Sequence, residues 1–230
     1  MENFIDNRNE KIWNLLSKHY NIQIANSFNN EYGCFSKNSD AIIYVTPNNI
    51  SKDSFTHELL HIYLNYKEFY LGNSIKILIN QDKILSKLLS ENLLEHIGNC
   101  LDHIKMFEIY INLKFDKKEF LLDYETFKCN EEDLNYLRQN FKYLGKINLY
   151  SIDFFIGKLV SILCDPNTNN NYSNELLEFR KLDLELYEIV NNLIQKTLNF
   201  DIDKKDIFNS YRDISFEFYE NLKNWVTMKL

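Results

Sequence analysis

The stretch Thr56-His57-Glu58-Leu59-Leu60-His61 sets two histidines four positions apart, with a glutamate directly after the first. On a helix, that spacing projects both imidazoles from one face, one turn apart. Two such rings can hold one Zn²⁺ at roughly 2.0–2.1 Å each. Glu58 is rotated off that axis but stays near it, which suits a base acting on water rather than a ligand. The pattern H-E-x-x-H therefore demands a helix here, a third ligand from elsewhere and an open position for water.

The flanking sequence supplies a helix start. Ala41-Ile42-Ile43-Tyr44-Val45 is short, β-branched and aromatic, and reads as a strand that Thr46-Pro47-Asn48-Asn49 ends. Ser51 or Asp53 can then cap a helix running through the motif to about Tyr70, with Leu60 and Leu64 turned inward. Leu71-Gly72-Asn73-Ser74 reads as its break. Residues 75–89 are unevenly helical. Ser90 can cap a long helix from Glu91 to about Leu113, with Glu91 where the helix dipole favours negative charge.

That helix carries Glu95, Asn99 and His103 at i, i+4 and i+8, with His96 and Asp102 near the same stripe. Such a stripe is either a solvated face or the missing part of a zinc site. His103 is the first choice for third ligand, because neutral imidazole suits Zn²⁺ and its helical neighbours are polar. Glu95 is the alternative, since two His and one Glu form a common catalytic set. His96 ranks third and Asp102 fourth. Asn99, one turn from both Glu95 and His103, suits a partner that orients a ligand. Tyr110 is a candidate for stabilising an oxyanion. The 41–45 strand can align an extended peptide by edge pairing.

Elsewhere the periodicity is mostly helical. Residues 4–20 read as an amphipathic helix, with His19 an ordinary helix-terminal histidine. Residues 22–28 suit a short strand, and 29–33 a turn. Short acidic helices are expected over 116–143, an apolar helix over 149–164, a loop over 165–171, and two long helices over 174–198 and 203–228. The last two carry apolar stripes that include Leu184, Tyr187, Ile207, Tyr211, Phe218 and Trp225. Only 5 Gly and 2 Pro in 230 residues argue against a turn-rich β fold, and 45% hydrophobic content supports a real core. The expected class is mainly α with a small β-sheet.

A net charge of −7 without a basic stripe disfavours nucleic acid as a partner. Cys34, Cys100, Cys129 and Cys164 form no C-x-x-C pair, which disfavours a cysteine-based zinc site. The first residues show no basic or apolar leader, and no stretch reaches membrane-spanning length, so a cytoplasmic protein with reduced thiols and no membrane partner is expected. Richness in Asn, Lys and Ile suggests a bacterial source.

The strand, turn and helix bearing His57-Glu58-Leu59-Leu60-His61, followed by a ligand-bearing helix, resemble the zincin metallopeptidases, and most of all small bacterial zincins of the ImmA/IrrE-like kind. The resemblance covers residues 20–115. In glutamate-type members the third ligand lies in an E-x-x-x-D pattern; the nearest equivalents here are Glu95-x-x-x-Asn99 and Asn99-x-x-x-His103. The resemblance implies a zincin-like core over 1–115, with a helical extension over 116–230 packed on it as a second domain or as part of one single domain. It also implies a zinc-dependent peptidase cleaving a specific intracellular protein, with Glu58 as base. The competing expectations are a metal-holding regulatory or binding module with little turnover, and a helical interaction protein in which the motif is incidental.

Overall fold

The structure is a computed structural model that describes residues 4–204 and 210–229. In chain order its elements are α1 (Glu10–Leu16), β1 (Asn21–Asn26), β2 (Gly33–Lys37), β3 (Asp40–Val45), α2 (Lys52–Tyr66), α3 (Leu71–Gln81), α4 (Leu85–Leu88) and α5 (Glu91–Asn112). They continue with α6 (Glu131–Asn140), β4 (Lys142–Tyr143), β5 (Lys146–Ile147), α7 (Ile152–Leu163), α8 (Ser173–Leu182), α9 (Leu184–Asn199) and α10 (Tyr211–Lys229). The protein is thus mainly α with a small β-sheet. Among the described residues, no helix is long and apolar enough to cross a membrane. Ile207 of the expected last stripe lies outside the described residues.

The contacts divide the chain into two units, and α5 runs through the division. The first joins residues 4–69 to Lys105–Tyr124, so the expected boundary at 115/116 falls inside its second segment. Its sheet has the order β1-β3-β2, with β1 parallel and β2 antiparallel to β3. Along β3, Ala41, Ile43 and Val45 are buried at alternate positions, as a strand's two-residue period requires. They form a core with Leu16 and with Phe55, Leu59 and Ile62 of α2. Phe4 stacks on Phe55 with ring centres 5.1 Å apart. The other side of α2 buries Thr56, Leu60 and Leu64, so this helix is enclosed on two faces.

Two expectations for this unit are corrected. The 41–45 strand was expected to offer a pairing edge, but β3 is the central strand, with both sides occupied. The edges belong to β1 and to β2, and no strand was expected where β2 lies. The end of α2 also comes earlier than the expected Tyr70. Glu68 takes a left-handed backbone (φ 59°), the Phe69 amide donates to the Leu64 carbonyl at 3.0 Å, and the Glu68 amide donates to Asn65 at 3.0 Å. That is a Schellman ending, which closes the helix at Tyr66.

The second unit comprises Tyr70–Ile104 and residues 125–229. Leu71-Gly72-Asn73-Ser74 is the first turn of α3, not a break. Gly72 serves close approach instead: a Cβ there would lie 2.5 Å from the Gly98 Cα on α5. The expected helix over 174–198 is two helices, because Asp183 interrupts it. Its carboxylate caps α9 by accepting from the Leu186 amide at 2.9 Å and also accepts from the Trp225 indole at 3.2 Å. The apolar face of α7, with Phe155, Ile156, Leu159 and Val160, is wholly buried.

Candidate metal centre

The motif helix begins where its capping chemistry allows. The Ser51 hydroxyl accepts from the Ser54 amide at 3.0 Å, satisfying one of the first-turn N–H groups. One turn into α2, the buried Asn9 amide donates to the Thr56 hydroxyl at 2.8 Å and to the Phe4 carbonyl at 3.0 Å. These contacts tie the segment before α1 to the residue that precedes His57.

Asp53, His57 and His61 follow i, i+4 and i+8 along α2, and His103 and Tyr110 follow i and i+7 along α5. Each set therefore lies on one helix face. The Tyr110 hydroxyl donates to Asp53 at 3.0 Å, pinning one end of these faces together. Seven residues back along the continuous α5, His103 meets the histidines of α2, so the two stretches run antiparallel. Ligand atoms of His57, His61 and His103 all lie within 4.8 Å of one another. The His57 and His61 ring centres are 5.1 Å apart.

The surroundings are apolar on one side. Phe120 packs on His57 with ring centres 4.9 Å apart, and on Phe107 and Tyr110 at 5.1 Å each. Burial, and then the neighbouring His61, push the His57 pKa down to about 3, against a hydrogen bond to the Phe120 backbone. His57 is thus held neutral, the form that ligates metals. Burial pushes the Glu58 carboxyl up, while His61 and a hydrogen bond from the Cys34 thiol of β2 hold it back. Neither Cys34 nor Phe120 carries a signal in sequence, because each reaches the motif only through the fold.

The donor set fits a zinc-like cation. Three imidazole nitrogens leave one position of a tetrahedral sphere open, as in catalytic His₃ sites. Neighbouring donors of such a sphere stand about 3.3 Å apart, and the ligand atoms here all lie within 4.8 Å of one another.

The remaining candidates lie elsewhere. Glu95 is exposed and pairs with Lys76 at 3.3 Å. His96 bonds the Ser161 hydroxyl at 2.9 Å. Asp102 is half-buried and outside the histidine cluster. Asn99 is exposed and has no described hydrogen bond to any of the three histidines. Tyr110 is fully buried and committed to Asp53, so it anchors the site rather than facing a substrate. His19 packs on Tyr66 in the turn after α1. The stripe at i, i+4 and i+8 is thus divided in use: its first two members face solvent and its last joins the cluster. Comparison with protein-family models, curated proteins and solved structures finds no match to this chain.

Proposed function

We propose that the protein is a zinc-dependent metallopeptidase of the zincin type, acting in the cytoplasm on a peptide bond of a specific protein. The observation that supports this most is the convergence of His103 with His57 and His61, together with a glutamate at the position the H-E-x-x-H chemistry requires. His57, His61 and His103 would hold the cation. When bound, Zn²⁺ supplies a Lewis acid for the scissile carbonyl and brings the pKa of water toward about 7.

The chain's own groups then divide the work. Glu58 takes the proton from the attacking water and passes it to the leaving amine. Burial raises its proton affinity, which favours that exchange near neutrality. The Cys34 thiol orients its carboxylate. Because Cys34 belongs to an edge strand, β2 is the strand along which an extended peptide would pair beside Glu58. Phe120, packed on His57 and backed by Phe107, keeps water from one side of that ring.

The test begins with metal analysis of protein purified without added zinc and then re-equilibrated with it. About one ion per chain is expected, and His61→Ala and His103→Ala should each lose it. A peptide library then reads hydrolysis. Glu58→Gln should keep the metal and lose about 10²–10⁴-fold in rate. Failure of the parent to retain any cation would end the reading. Metal retention with no cleavage of any peptide or protein offered would favour the regulatory-module alternative.

A further inference from the structure

The pairing of α5 with α7 advances in register like rungs of a ladder. The Ser90 amide and hydroxyl both donate to Asp153, at 2.8 Å each. Leu93 lies against Gly157, where a Cβ would meet its methyl at 3.4 Å. The His96 ring bonds Ser161 at 2.9 Å. The next rung sets Cys100 beside Cys164. Steps of three or four residues on both helices mean that they run parallel here, and the ladder places the two cysteines opposite one another.

The Ser161 hydroxyl donates its single proton to the Gly157 carbonyl at 2.9 Å. It must therefore accept from His96, which fixes the imidazole proton on Nε2 and leaves Nδ1 as an acceptor. The Cys100 sulfur lies 3.7 Å from that Nε2 and 3.9 Å from Nδ1, one helical turn away and over the imidazole ring. Both cysteines are half-buried, whereas Cys129, fully buried, has no cysteine beside it among the described residues.

We propose that Cys100 and Cys164 form a peroxide-oxidisable dithiol. The Cys100 thiol ionises and its sulfur attacks one oxygen of a hydroperoxide, giving a sulfenic acid and releasing water (an alcohol from an organic hydroperoxide) once the departing oxygen collects the proton that Cys100 lost. The Cys164 sulfur then attacks the sulfenic sulfur. A disulfide forms, and a water leaves carrying the sulfenic hydroxyl and the Cys164 proton. The peroxide is reduced and the two thiols are oxidised, with no other co-reactant. The bond would tie α5 to α7 three residues before His103. This inference stands on the α5–α7 contact alone and does not need the metal reading.

The experiment treats the full-length protein with hydrogen peroxide in the presence of a chelator, alkylates the remaining thiols and maps the peptides. A linked Cys100–Cys164 peptide is expected, about 2 Da lighter than its reduced parts and restored by dithiothreitol. Cys34 and Cys129 should stay alkylatable. Absence of the linked peptide, a link to another cysteine, or over-oxidised Cys100 beside an alkylatable Cys164 would overturn the dithiol.

Discussion

A few side chains well away from any reacting atom carry much of the local order. The Tyr110 hydroxyl on Asp53 is the clearest, since it is fully buried and its acceptor is a carboxylate. Hydrogen bonds to charged groups contribute about 1.5–3 kcal/mol. Tyr110→Phe should therefore lower unfolding stability by about 2 kcal/mol in urea titration. On the proposed reading it should also weaken zinc retention, because His103 is placed by the same helix face. A stability loss with unchanged metal affinity would separate the anchor from the site. Asn9→Ala removes two buried bonds and should cost about 2 kcal/mol, read the same way.

At the scale of elements, both helices of the site end alike. Glu68 after α2 and Lys114 after α5 hold left-handed backbones at φ 59° and 68°, a conformation costing an L-residue about 1 kcal/mol. Glycine is free of that cost, so Lys114→Gly should raise the urea midpoint by a margin worth about 0.5–1 kcal/mol. The reverse holds where α3 crosses α5. Gly72→Ala forces a methyl to 2.5 Å from the Gly98 backbone, and backbone cannot yield as a flexible side chain does. Thermal unfolding should show a loss of about 2 kcal/mol or more there. A neutral result would mean that the two helices separate at little cost.

For the molecule as a whole, stability should depend on metal and on acid. If the histidines hold zinc only in the folded state, saturation at a hundredfold above the dissociation constant adds about 2.7 kcal/mol. A chelator should then lower the thermal midpoint of the parent but not of His61→Ala. Acid acts through Asp6, whose carboxyl the Arg8 guanidinium holds well below the ordinary range. Its folded proton affinity is the lower one, so its contribution is complete above the usual carboxylate pKa and is lost as pH falls below it. Arg8 also lies 3.9 Å over the Phe115 ring, which extends that pair toward the end of α5. Asp6→Asn should remove about 0.5–1 kcal/mol at neutral pH and progressively less as pH falls below the ordinary carboxylate range, by urea titration at low salt.

What the sequence determined by itself was local. Capping at Ser51 and Ser90, the alternation along β3 and the spacing of His57 and His61 are short-range properties, set by backbone geometry and periods of two and 3.6 residues. They were enough to expect a helix bearing two aligned imidazoles and a later helix bearing a third. Which member of that later stripe turns inward was not local. His103, Glu95 and Asn99 share one helix face, and only the pairing of Tyr110 with Asp53 decides that the far end of that face meets α2. The same holds for the central place of β3, for Cys34 beside Glu58 and for Gly72 against Gly98. Each depends on residues distant in the chain arriving together, a matter of packing that no short window of sequence contains.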